Sequence, residues 1–138
     1  MLDSGLPSTT YSYLGTSFSL TTQTLTSTGV SVALEPNSTY EISVTFTSTD
    51  NGDNLQFKLA YSGTFTQQGL FYDTTSGAVG QFSTASTYTP TSEDCVTVWG
   101  IVRTSTGGKL TLQARKNTLL SGDATHITAG AHMVARKL

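Results

Sequence analysis

The chain has 138 residues and a formal charge of −2, and 36% of it is hydrophobic. Only 12% is charged, against about 25% in an average domain, and serine and threonine, roughly a third of the chain, meet water instead. This length suits one core in one domain. No apolar run is long enough to span a bilayer, and an acidic chain without a dense basic run speaks against nucleic-acid binding.

The start, Met1-Leu2-Asp3-Ser4-Gly5-Leu6-Pro7, has neither a basic end nor an apolar run, so it does not read as a signal peptide. Residues 1–12 read as an extended N-terminal arm ahead of a single β domain over 13–138. Leu2, Leu6, Tyr11 and Tyr13 have too little apolar mass to fold alone, which makes them candidates for an interface with a neighbouring subunit. Strands are expected from Tyr13 to Leu20 and from Leu25 to Leu34, the latter ending at the turn Glu35-Pro36-Asn37.

Alternation is clearest in Tyr40-Glu41-Ile42-Ser43-Val44-Thr45-Phe46-Thr47, where Tyr40, Ile42, Val44 and Phe46 share one face of a half-buried strand. Leu55 to Tyr61 repeats the pattern. Asp50-Asn51-Gly52-Asp53 lies between them, and Asn-Gly supplies the positive φ angles of tight turns, so the two strands are expected to pair as an antiparallel hairpin. Leu70-Phe71-Tyr72 and Val79 to Phe82 are shorter strand candidates.

Cys95 to Val102 is apolar on both faces, as a central strand should be, and Gly100 inside it signals a bulge or a close backbone approach. Gly107-Gly108 then turns the chain toward the alternating Lys109 to Arg115, which predicts a second hairpin. Thr125-His126-Ile127 and Ala131 to Arg136 complete the strands. No window combines helical apolar spacing with caps, so the fold class is all-β, an antiparallel sandwich.

Charge is uneven along the chain. Residues 1–94 hold eight acids and only Lys58, giving −7, whereas residues 95–138 hold Asp123 against six cations, giving +5. This pattern fits cross-strand pairing within one subunit. It also fits a contact between subunits in which Arg136 and Lys137 hold acidic surface.

Candidate chemistry is sparse. Cys95, the single cysteine, reads as a small buried hydrophobe. His126 and His132 are close in sequence, belong to no zinc-spaced cluster, and read as ordinary strand histidines. Asp50-Asn51-Gly52-Asp53-Asn54 lacks the glutamate that closes a calcium loop. Glu93-Asp94 reads as a solvated strand entry, not as opposed catalytic carboxylates. Asn37-Ser38-Thr39 matches the glycosylation pattern without a secretion signal beside it. No enzyme, cofactor or metal is expected from these residues. Trp99 points to core or a subunit interface, and Tyr72 and Tyr88, in Thr- and Ser-rich surroundings, are candidates for stacking on a glycan.

Leu34-Glu35-Pro36-Asn37-Ser38-Thr39-Tyr40-Glu41-Ile42 resembles a turn-and-strand opening of β-sandwich modules in tailed-bacteriophage virion proteins. Val98-Trp99-Gly100-Ile101-Val102, followed by Gly107-Gly108-Lys109-Leu110-Thr111-Leu112-Gln113-Ala114, continues the likeness. Ile127-Thr128-Ala129-Gly130-Ala131-His132-Met133-Val134-Ala135-Arg136 is similar to their closing strand. The resemblance covers Leu34 to Leu138 and implies a jelly-roll-like sandwich, commonly in trimers, of the kind found in capsid cement or decoration proteins, head fibres and tail fibres. The expectation that follows is a homotrimeric cement protein bound to the major capsid protein on the outside of the virion. The alternative is a receptor- or glycan-binding fibre module.

Overall fold

Polar and apolar residues alternate through nearly every strand, and burying one side of each strand requires a second layer. A computed structural model of the chain describes residues 8–49, 55–77, 79–90, 95–118 and 125–138. It is an all-β protein of two antiparallel sheets packed face to face. The strands are β1 (Thr9–Tyr13), β2 (Phe18–Ser19), β3 (Thr26–Leu34), β4 (Thr39–Thr49), β5 (Leu55–Tyr61) and β6 (Thr64–Thr74). They continue with β7 (Val79–Phe82), β8 (Cys95–Thr106), β9 (Gly108–Lys116), β10 (His126–Ile127) and β11 (His132–Lys137).

The larger sheet runs β1-β11-β4-β8-β6-β7, with β10 continuing beside β4 and β2 beside β10. The smaller runs β3-β9-β5. Tyr40, Ile42, Val44 and Phe46 of β4 are all buried, as their alternation requires, and they face Leu55, Phe57 and Leu59 of β5 and Leu110 and Leu112 of β9. The Phe46 and Phe57 rings meet edge to face across the sandwich at 4.9 Å, a favoured aromatic geometry.

Both expected hairpins are absent. β4 pairs with β8, β10 and β11, and β5 pairs with β9, so Tyr40–Thr47 and Leu55–Tyr61 lie in opposite sheets. Likewise β8 pairs with β4 and β6, whereas β9 pairs with β3 and β5. Alternation does not tell a hairpin from a corner, because both place apolar faces inward. At Gly107-Gly108 the chain turns such a corner. A Cβ on Gly108 would collide with the Gly63 backbone of the neighbouring β5–β6 corner, and the two corners exchange Ser62 N→Lys109 O (3.0 Å) and Lys109 N→Ser62 Oγ (2.8 Å). Asn51-Gly52 lies outside the described residues.

A third corner joins β3 to β4 at the expected turn, where Asn37 takes a positive φ of 51°. Thr104 of β8 locks it from below: its hydroxyl donates to the Glu35 carbonyl at 2.5 Å and accepts from Ser38 N at 3.1 Å. Gly100 marks a close backbone approach, as expected. Its φ is 148°, it pairs with Ile42 and Leu70 at the centre of the larger sheet, and a Cβ there would overlap the Gly69 carbonyl oxygen.

The N-terminal segment also differs from expectation. Thr9–Tyr13 pairs antiparallel with His132–Arg136 of the same chain, so β1 crosses the expected boundary between arm and domain and has its strand partner at home. Ser12 fastens it to the other sheet, its Oγ accepting from Ser31 N at 3.1 Å. Tyr13 to Leu20 is not one strand: it contributes only the end of β1 and the two-residue β2. Leu2 and Leu6 lie outside the described residues.

Candidate interaction surface

The outward sides of the two sheets differ in chemistry. On the larger sheet the register aligns Tyr11, Val134, Ser43, Trp99, Phe71 and Gln81 in one row across six strands. At a strand spacing of about 4.8 Å this row is about 24 Å long. Tyr13, His132, Thr45, Thr97, Asp73 and Val79 form the next row. Tyr11 and Tyr13 are 70% and 66% exposed, and Phe71, Trp99 and Ile101 about 40%. With Val79, these are all the large exposed hydrophobics among the described residues except Leu138, and they share one face.

They form two patches. Phe71 and Trp99 are cross-strand partners with ring centroids 6.1 Å apart, and Ile101 follows two residues along β8. Tyr11 and Tyr13 stack at 6.5 Å on the edge strand β1. Ser43, Thr45, His132 and Val134 lie between. Trp99 is therefore not core. Its strand is central in the sheet, yet β8 was apolar on both sides because its outer side is left open here. Exposed patches of this kind mark contact surfaces more often than scattered single residues do.

The outer side of the smaller sheet carries Lys58, Lys109 and Arg115 among Gln56, Thr111 and Gln113, with Arg115 Nε donating to Gln56 Oε1 at 2.9 Å. No described acid lies on this face. Lys58, Lys109 and Arg115 give this face a positive character, whereas the outer side of the larger sheet mixes Glu41 and Asp73 with Arg103 and Arg136.

Arg136 and Lys137 are both paired within the chain. Arg136 sits opposite Glu41 in the β11–β4 ladder and bonds its carboxylate at 3.2 Å. Lys137 bonds Glu35, and this hydrogen bond raises its pKa above the ordinary lysine value. Both cations serve the within-subunit pairing, one of the two arrangements their charge pattern allowed.

Tyr72 and Tyr88 are half-buried inward, packed with Phe57 and Phe82. Phe82 and Tyr88 stack at 4.4 Å, and the Tyr88 hydroxyl accepts from Ser83 N at 2.8 Å. Tyr88 also bridges to Phe57 by two backbone hydrogen bonds of 2.9 Å, closing the sandwich between β7 and β5. Both rings are engaged by aromatic neighbours. The open aromatics are Tyr11, Tyr13, Phe71 and Trp99, and no alternation pattern distinguishes the exposure of the last two from burial in a two-sided strand.

Cys95 is half-buried at the start of β8, on the outer side opposite Thr47, and is not a core residue. His132 contacts the Gly130 carbonyl through Nδ1 at 3.0 Å, and His126 pairs in β10. Among the described residues no group of three or more His, Cys, Asp or Glu could hold a metal. Among the described residues no helix is long and apolar enough to cross a membrane. Glu93-Asp94 and Asp50 to Asn54 lie outside the described residues. No family model matches the chain, and no curated protein matches it in sequence.

Proposed function

We propose that this protein is a non-catalytic docking module of the capsid cement or decoration kind. In this reading it attaches as a homotrimer to the major capsid protein on the outside of a virion head, and the outer side of its larger sheet is the contact. Each copy bridges neighbouring capsid subunits, and the summed contacts oppose internal pressure without making or breaking a bond. The observation that carries this reading is the concentration of Tyr11, Tyr13, Phe71, Val79, Trp99 and Ile101 on a single sheet face. The likeness of Leu34 to Leu138 to phage virion modules adds to it.

A flat, hydroxyl-rich face with aromatic anchors suits protein docking. Trp and Tyr dominate the energetics of interface centres, and the polar groups between them tolerate water. Tyr11 and Tyr13 keep their interface role here, but on the surface of their own sheet and not on an arm that leaves it.

The test compares the wild-type chain with Trp99→Ser/Ile101→Ser and with Lys58→Gln/Arg115→Gln on the opposite face. Copy number per purified particle and mass in solution are the readouts. The first variant should lose particle occupancy, the trimer, or both, while the second keeps them. Wild-type occupancy and assembly of Trp99→Ser/Ile101→Ser would refute the assignment of this face.

A further inference from the structure

Beside the apolar face, where β7 is added to β6, lies a groove of about 460 Å³, within the roughly 300–1,000 Å³ usual for small-ligand sites. Phe71, Gln68, Gln81 and Ser83 are among the residues that line it, and none of its described lining residues is charged. The β6–β7 register sets Gln81 directly opposite Phe71, and the β6–β8 register sets Phe71 opposite Trp99. An amide, a phenyl ring and an indole therefore follow one another across three strands. Gln68 shares the inward parity of Leu70, opposite Val102, and lines the groove from just past the end of β7, where its Oε1 accepts from Thr84 N at 2.7 Å. That bond leaves the Nε2 hydrogens as its remaining donors.

We propose that this groove is a binding site for a neutral carbohydrate, with a sugar ring laid on Phe71 and its hydroxyls shared between the Gln81 and Gln68 amides. A pyranose is amphipathic in a way that matches this lining. One face presents C–H groups that pack on an aromatic ring, and its rim of hydroxyls both donates and accepts, as a carboxamide does. A wholly apolar ligand would cover the two amides without satisfying them. On the same outer face Asp73, two residues beyond Phe71, and Arg103, opposite Gln67, flank the groove with opposite charges, so its uncharged amides set the preference for a neutral ligand. The site goes beyond the docking role and does not depend on it: Phe71 borders both, but Gln68 and Gln81 supply the groove's amides, whereas Trp99 and Ile101 belong to the contact face alone.

The experiment titrates the isotopically labelled full chain with cellobiose, lactose and N,N′-diacetylchitobiose, using glucuronate as the charged control. At least one neutral disaccharide should give saturable shifts in the Gln68 and Gln81 side-chain amide signals. Gln81→Ala should weaken that binding about tenfold or more, while Gln113→Ala, an amide on the opposite sheet, leaves it unchanged. If Gln81→Ala perturbs signals throughout the chain, Gln68→Ala decides by the same criterion. The proposal is overturned if no neutral disaccharide saturates up to its solubility limit, if glucuronate produces the same shifts, or if neither glutamine variant weakens binding. Loss of particle attachment in the Trp99 variant with sugar binding intact bears on the docking role alone.

Discussion

Replacing Gly100 by alanine should be among the most damaging single-methyl changes in this protein. Gly100 sits mid-ladder between Ile42 and Leu70 with φ at 148°, and the added Cβ would be driven into the Gly69 carbonyl. Holding a non-glycine residue in that region costs about 1–3 kcal/mol, and overpacking between two strands adds about 1–3 kcal/mol. The expected loss is therefore about 2–6 kcal/mol, against about 5–15 kcal/mol for the whole stability of a typical domain. Gly69→Ala, one strand away, is the internal control. Its Cβ would meet the Ile101 carbonyl oxygen at 3.4 Å, an ordinary contact, so its change should stay within about 1 kcal/mol. Urea denaturation followed by tryptophan fluorescence measures both. A Gly100→Ala midpoint matching wild type would show that β6 and β8 are not held this closely and refute the reasoning.

Three further outcomes are expected. Thr104→Val keeps the shape of the β3–β4 corner but orphans the Glu35 carbonyl and Ser38 N–H, so thermal and urea unfolding should show a loss of about 1–3 kcal/mol. A double-mutant cycle with Arg136→Gln and Glu41→Gln should give a coupling of only about 0–1 kcal/mol, reduced by salt, because both partners are about half exposed. The Glu35 hydrogen bond favours the charged form of Lys137, so its folded-state pKa lies above 10.5. The stabilisation it provides is complete below the unfolded value and is lost as pH rises through the raised one. An NMR titration of the Lys137 side chain should show this elevation, and Glu35→Gln should abolish it.

Much of the fold is legible in the sequence where one face of a strand must be hidden. Tyr40 to Phe46, Leu55 to Leu59 and Leu110 to Ala114 alternate, and their apolar positions are buried. Partner choice is not legible in the same way. Asn51-Gly52 and Gly107-Gly108 are favourable turn residues for hairpins and corners alike, and only the packing of two sheets decides between them. The first half of β6, Thr64 to Gly69, escapes notice because Phe65 is its one large apolar residue. Strand β1 is masked by its exposure, since an edge strand that buries little leaves no periodic signal. The contact face is hidden for a related reason. Trp99 and Ile101 in an apolar run predict two-sided burial, and what leaves their side open is the absence of a third layer, which no local pattern encodes.

The arrangement of corners has a consequence for the order in which the protein comes together. Among the named strands, β6 and β7 are the one consecutive pair that are also direct neighbours. Every other ladder joins segments distant along the chain, and such contacts close slowly because loop entropy must be lost before they form. The larger sheet adds a second delay, since β11, the last strand in chain order, is inserted between β1 and β4. During synthesis β1 therefore waits for a partner made more than a hundred residues later, and β4 presents an open edge until it arrives. Chains that stop short of His132 should consequently be captured by chaperones or aggregate, whereas complete chains should acquire protease resistance in a single late step.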